Sequence, residues 1–120
     1  SGHPIACAAG IATLEVYEEE KLFERSKSLE KYFGKAAHSL SKLNMVKDVR
    51  NFGLVAGIEL AERQKDPKTL GRDVYEECFN NGLMVRFTGN TIAISPPLII
   101  TKKQIDKVFS TLTHAIKKVF

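Results

Sequence analysis

An arginine with apolar neighbours is the residue whose setting most clearly indicates chemistry. Arg86 lies within residues 83–87, between Val85 and Phe87, in a run whose composition is typical of a β-strand. A guanidinium in such a strand is costly to remove from water unless a carboxylate or a phosphate accepts hydrogen bonds from it. Two interpretations stay open from the residues alone: an exposed edge-strand arginine that points to water, and a side chain that binds an anionic ligand.

The other reactive residue types form no recognisable catalytic or metal-binding pattern. His3, His38 and His114 have no metal-ligand spacing among themselves or with the two cysteines. No serine stands in a nucleophile elbow, and no glycine-rich loop leads from a strand into a helix. We therefore predict no metal site and no catalytic residue in these positions. Cys7 and Cys78 lie in apolar helical patterns, which predicts buried, reduced thiols and favours a cytoplasmic protein.

The composition is that of an ordinary folded domain. The chain has 120 residues, of which 43% are hydrophobic and 27% charged, and this predicts a single domain over residues 1–120. The net charge of +4 comes from basic residues that alternate with acidic ones, so we expect no nucleic-acid-binding surface. We also expect no membrane association, because no run of about 18 apolar residues and no secretory signal occurs.

Apolar periodicity predicts four helices and two β-hairpins. The first helix begins at Pro4 and is so rich in small residues that we expect it to lie wedged between other elements. The last helix opens with a capping box formed by Thr101 and Gln104. In chain order the sequence predicts two helices, a hairpin over residues 46–60, a helix, a second hairpin over residues 84–95, and a helix. This order predicts an α+β fold in which two β-hairpins form a mainly antiparallel sheet covered by helices.

The second hairpin has a register that can be predicted residue by residue. Its tip is the dipeptide at residues 89–90, Gly-Asn, which is typical of a two-residue primed turn. This register places the small residue Ala93 opposite Arg86, which leaves the arginine side chain room to lie down or to swing. The predicted pairs are Phe87 with Ile92 and Val85 with Ile94 on one face, and Arg86 with Ala93 and Met84 with Ser95 on the other.

Three stretches, taken in order, resemble the carboxy-terminal domain of class III aminotransferases, which are fold-type-I enzymes dependent on pyridoxal 5′-phosphate. The stretches are SGHPIACAA at residues 1–9, VRNFGLVAGIEL at residues 49–60, and GLMVR, GNTI and SPPL within residues 82–98. The resemblance extends over essentially the whole chain. Within the family it is closest to the ω-amino-acid–pyruvate branch.

The resemblance implies that residues 1–120 are the small C-terminal domain of a longer, homodimeric aminotransferase whose substrates are an amine or ω-amino acid and a keto acid. Arg86 is similar to the movable arginine that in this branch binds the carboxylate of pyruvate and swings aside for an amine. The resemblance also implies that the lysine holding the pyridoxal phosphate belongs to the large domain. We therefore expect residues 1–120 alone to bind no cofactor and to perform no transamination.

A free-standing α+β module that binds a ligand or another protein is the alternative. Two hairpins under helices would serve that purpose equally well, because a fold by itself does not determine a function.

Overall fold

The computed structural model describes residues 1–63, 66 and 68–120. The helices are α1 (Pro4–Glu19), α2 (Leu22–His38), α3 (Leu70–Asn80) and α4 (Lys102–Val119), and a short 3-10 turn (Ser39–Lys42) follows α2. The strands are β1 (Val46–Phe52), β2 (Val55–Leu60), β3 (Arg86–Thr88) and β4 (Thr91–Ile94). This arrangement confirms the predicted α+β fold.

The two hairpins join edge to edge into one four-stranded antiparallel sheet. The strand order is β1-β2-β4-β3, so the second strand of each hairpin lies at the centre and β3 lies at an edge. The centre is formed by β2 and β4, where Ile58 pairs with Ile92. Both side chains are fully buried. Their face of the sheet is therefore the one that the helices cover.

The register predicted for the second hairpin is confirmed next to its tip and stops earlier than expected. Arg86 pairs with Ala93, and Phe87 with Ile92. The ladder between β3 and β4 begins at Arg86, so the two further pairs expected beyond it are not part of it. β4 ends just before the two prolines at residues 96–97, which have no N–H group to donate to a ladder.

Helices α2, α3 and α4 enclose the hydrophobic core against this sheet. α2 and α3 contact the strands, and α4 packs against both helices. At the α2–α4 contact the rings of Phe33 and Phe109 meet edge to face with their centroids 5.2 Å apart. The capping box predicted at the start of α4 is confirmed, because Thr101 and Gln104 exchange hydrogen bonds there. Among the described helices, none is both long and apolar enough to cross a bilayer.

Helix α1 differs from its prediction. We expected it to be wedged between other elements, but none of its residues is buried and its main contacts are with α2. The prediction that Cys7 is buried is therefore wrong, since this side chain is exposed. The physical reason is that burial requires a second surface, and no other described element packs along α1. Cys78 on α3 is buried in the core, as predicted.

Candidate functional site

Arg86 begins the edge strand β3 and projects on the face of the sheet opposite the helices. The pairings place four residues in one row across this face: Arg50 pairs with Gly57, Gly57 with Ala93, and Ala93 with Arg86. The two central residues, Gly57 and Ala93, are small, so neither projects a large side chain from the sheet beside Arg86. Its guanidinium has room to move over the sheet.

A pocket of about 750 Å³ adjoins Arg86. Beside the arginine its wall is mostly apolar, with hydroxyl groups from Ser95 and Tyr75. Arg86 is the charged side chain among the described residues that line it. The pocket therefore combines a cation with a surface for an aliphatic or aromatic group. The lining residues are Val55, Tyr75, Met84, Val85, Arg86, Phe87, Ala93 and Ser95.

The guanidinium of Arg86 has no hydrogen bond or ion pair with any residue that the structure describes, whereas two other arginines are firmly held. Arg25 on α2 donates to the carbonyl oxygens of Leu98 and Ile100, at 2.5 and 2.6 Å. Arg50 is held by two carboxylates. Arginine presents five donors in a planar fork that matches a carboxylate. The donors of Arg86 are therefore available for an anion.

Arg50, at the other end of the row, belongs to a charge network within the protein. Its Nη1 atom lies 2.6 Å from a carboxylate oxygen of Asp48 and 3.4 Å from one of Glu59. Lys47 lies 2.8 Å from Glu59 as well. Hydrogen bonding to Lys47 is the main reason that the pKa of Glu59 lies below its ordinary value, and Arg50 adds to the effect.

This network was not predicted from the sequence. The signals were present, because Asp48 lies opposite Glu59 and two residues before Arg50. Since two carboxylates already lie against Arg50, we do not assign it to an anionic ligand.

The remaining reactive residues are not brought together into a site. His3, His38 and His114 are exposed, and His38 lies 3.0 Å from the side-chain oxygen of Asn51. Within the described parts of the chain, no group of three histidine, cysteine, aspartate or glutamate residues is placed to hold a metal ion. Burial, with a smaller effect from the nearby Glu77, raises the pKa of the Cys78 thiol to about 11. A thiol that resists ionisation in this way is a poor nucleophile.

Comparison with known proteins identifies the family. The sequence profile of aminotransferase class-III matches residues 1–116. This chain belongs to the class III aminotransferase family. Its predicted resemblance is thereby confirmed over nearly the whole sequence.

The relatives that we found are aminotransferases several times longer than this chain. The chain is 50% identical to an omega-aminotransferase of Caulobacter vibrioides, over 99% of its own length and 27% of that protein. It is 33% identical to a beta-alanine–pyruvate aminotransferase of Pseudomonas aeruginosa, over 97% of its length and 26% of that protein. It thus spans about a quarter of the curated relatives.

The fold has close counterparts among solved transaminases. A transaminase solved with L-Ala superposes with a TM-score of 0.90 and 31% identity, over 98% of this chain and 29% of that one. That transaminase therefore contains a region with the same four-stranded antiparallel sheet and covering helices.

Enzymes of this family use pyridoxal phosphate in general, and the described residues do not fit a site for it. A lysine that forms a Schiff base needs a desolvated setting that lowers its pKa. Every lysine that the structure describes is exposed, and none lines the pocket of Arg86. The hydrogen bond of Lys47 to Glu59 raises the pKa of that lysine, which is the opposite of what is needed.

Proposed function

We propose that residues 1–120 are the small C-terminal domain of a longer, homodimeric, pyridoxal-phosphate-dependent aminotransferase. In this enzyme Arg86 binds the carboxylate of a keto-acid acceptor such as pyruvate. The observation that carries the proposal is the guanidinium of Arg86, which has no partner among the described residues and borders a largely apolar pocket. The names of the relatives support the substrate class, since they include an omega-aminotransferase and a beta-alanine–pyruvate aminotransferase.

The chemistry of the pocket suits both substrates of a transamination. A keto acid offers a carboxylate, which two parallel N–H groups of the Arg86 fork can bind. An amine without that carboxylate needs an apolar surface instead, and the pocket provides Val55 and Met84. Because no described residue holds the guanidinium, moving it aside breaks no ion pair within the domain. One site can therefore serve both half-reactions.

We assign the cofactor to the rest of the longer protein. Pyridoxal phosphate supplies an electron sink for amino-group transfer when it is bound. In our proposal the large domain contributes the lysine and the partner subunit completes the site. The part of the protein formed by residues 1–120 binds and orients the substrate carboxylate.

The substitution Arg86→Ala in the full-length enzyme tests the role of this residue. We expect kcat/KM for pyruvate to fall about 10- to 150-fold, which corresponds to the loss of hydrogen bonds worth roughly 1.5–3 kcal/mol. An aldehyde acceptor that lacks a carboxylate should retain its kcat/KM within about twofold. Equal losses for the two acceptors would overturn the proposed role.

Arg72→Ala is the matched control for this experiment. Arg72 is an exposed arginine on α3 that does not line the pocket of Arg86. Its removal changes the net charge of the protein as much as Arg86→Ala does. We therefore expect Arg72→Ala to leave kcat/KM unchanged for both acceptors. A change in this control would reveal a non-specific effect of charge.

The assignment of the cofactor is tested on residues 1–120 alone. After the chain is mixed with pyridoxal phosphate and treated with borohydride, we expect no stoichiometric lysine adduct and no transamination. A single trapped lysine together with activity would show that these residues hold a complete site.

A further inference from the structure

Gly71, the second residue of α3, lies against the tip of the hairpin that carries Arg86. A Cβ atom added at Gly71 would lie 2.0 Å from the carbonyl oxygen of Gly89 and 3.2 Å from the ring of Phe87. The obstructing atom at Gly89 belongs to the backbone, so it cannot rotate away as a side chain could. This position therefore requires glycine, because two stretches of backbone approach each other here.

The hairpin that carries Arg86 is short, and it contacts both α3 and β2. β3 has three residues and lies at the edge of the sheet. Its Phe87 ring lies 5.5 Å from the ring of Tyr75 on α3, measured between centroids. Beyond the tip, the backbone N–H of Leu60 donates to the carbonyl oxygen of Asn90 at 2.9 Å. A displacement of the tip therefore acts directly on a strand of only three residues, the first of which is Arg86.

We propose that Gly71 is a positioning residue for Arg86. The bare backbone of α3 at this point sets the place of the hairpin tip, and through it the direction of a guanidinium only three residues away. Any side chain at Gly71 must push the oxygen of Gly89 by roughly 1 Å or more, to the 3.0 Å below which real Cβ contacts are essentially never found. This inference rests on the carboxylate-binding role proposed for Arg86.

Such a shift should affect substrate binding more than folding. The β3–β4 ladder and the Tyr75–Phe87 contact remain available to the shifted hairpin. Two parallel hydrogen bonds to a carboxylate, in contrast, tolerate little displacement, and misplacement by about 1 Å can reduce a rate by up to ~100-fold. An acceptor without a carboxylate makes no such bonds.

The test is the substitution Gly71→Ala in the full-length enzyme. We expect KM for pyruvate to rise at least about fivefold. We expect kcat/KM for an aldehyde without a carboxylate to stay within about twofold. Arg72→Ala, at the neighbouring exposed position of α3, is the control and should change neither value.

A double-mutant cycle shows whether Gly71 acts through Arg86. In an Arg86→Ala background, Gly71→Ala should not change KM for pyruvate any further, because the guanidinium that Gly71→Ala displaces is absent. Additive losses would overturn the inference. Three other results would also overturn it: equal losses of kcat/KM for both acceptors, insoluble protein, or a melting temperature lowered by more than about 8 °C. Each would show that Gly71 is needed for the packing of the domain as a whole.

The outcomes separate this inference from the proposed function. If Arg86→Ala lowers kcat/KM equally for both acceptors, the proposed role of Arg86 is wrong, and the inference about Gly71 is wrong with it. If Arg86→Ala is selective for pyruvate and Gly71→Ala is not, only the inference fails.

Discussion

Arg86 and Ala93 lie directly opposite each other in the ladder between β3 and β4. Because the side chain of Ala93 is a single methyl group, it leaves the surface next to the arginine open. The adjacent residue in the row, Gly57, has no side chain at all. The Arg50 side chain at the far end of the row reaches over Gly57, with its Nε atom 3.5 Å from the place of a Cβ there. Next to Arg86 itself the row presents only the methyl group of Ala93, and this allows the guanidinium to approach or leave the pocket.

The first prediction concerns that open surface. In the full-length enzyme, Ala93→Leu should raise KM for pyruvate by roughly five- to tenfold, because the added side chain occupies space that the guanidinium needs. Thr91→Leu is the matched control, since Thr91 lies on the same face of β4 and does not line the pocket. An unchanged KM in Ala93→Leu would show that the arginine does not use this space.

The second prediction separates the charge of Arg86 from its shape. Arg86→Lys keeps the positive charge but loses the planar fork that binds both carboxylate oxygens. We expect kcat/KM for pyruvate to fall roughly fivefold, or about 1 kcal/mol, which is less than the loss expected for Arg86→Ala. Steady-state kinetics with a carboxylate-free aldehyde provide the reference. Full activity of the lysine variant would contradict the proposed two-point binding.

The third prediction concerns the two cysteines in the 120-residue chain. Cys7 is exposed and should react with iodoacetamide at pH 8. Cys78 is fully buried and has a pKa of about 11, so it should react at least about 100-fold more slowly until the chain is unfolded. Mass spectrometry of the alkylated peptides measures both rates. Similar rates would contradict the packing of α3 against α4.

The fourth prediction is a pH dependence of stability that arises from one ion pair. Lys118 on α4 lies 2.9 Å from Glu77 on α3, and this hydrogen bond is the main cause that lowers the pKa of Glu77 from 4.5. When the pKa of a carboxyl group is lower in the folded state than in the unfolded state, its ionisation stabilises the fold. This stabilisation is complete above the pKa of the unfolded state and is lost as the pH falls through the pKa of the folded state.

Chemical denaturation of Lys118→Ala across acidic pH measures this effect. The free energy of unfolding of the variant should be lower than that of the unsubstituted chain above pH 4.5. The two free energies should converge as the pH falls further. Lys117→Ala, the exposed neighbour, is the control and should show no pH-dependent difference. A difference between parent and Lys118→Ala that stays constant with pH would exclude the ion pair as its cause.

The fifth prediction follows from the apolar surface of α1. Ile5, Ile11 and Leu14 are 76%, 60% and 65% exposed, and large apolar side chains left in contact with water promote association. The 120-residue chain should therefore self-associate in analytical ultracentrifugation, and Ile11→Glu with Leu14→Glu should weaken the association. A strictly monomeric chain at high concentration would contradict this expectation.

Short-range interactions explain which parts of the fold could be predicted. The capping box of Thr101 and Gln104 involves residues three apart, and it forms as predicted. The pairing of Arg86 with Ala93 follows from a two-residue turn, because such a turn determines the partners on either side of it. Burial of Cys7 was wrongly predicted because an apolar pattern indicates what a helix could bury, and not whether a second surface is present.

The sequence by itself determined the type of residue that could bind an anion, its partner across the hairpin and, by resemblance, the family of the protein. These depend on side-chain chemistry and on contacts between near neighbours in the chain. The tertiary structure alone decided that Arg50 is occupied by carboxylates while Arg86 is free of partners in the described chain. It also decided that Gly71 lies against Gly89. Such relationships depend on how separate elements pack, and packing distances between distant segments are not encoded in any local pattern.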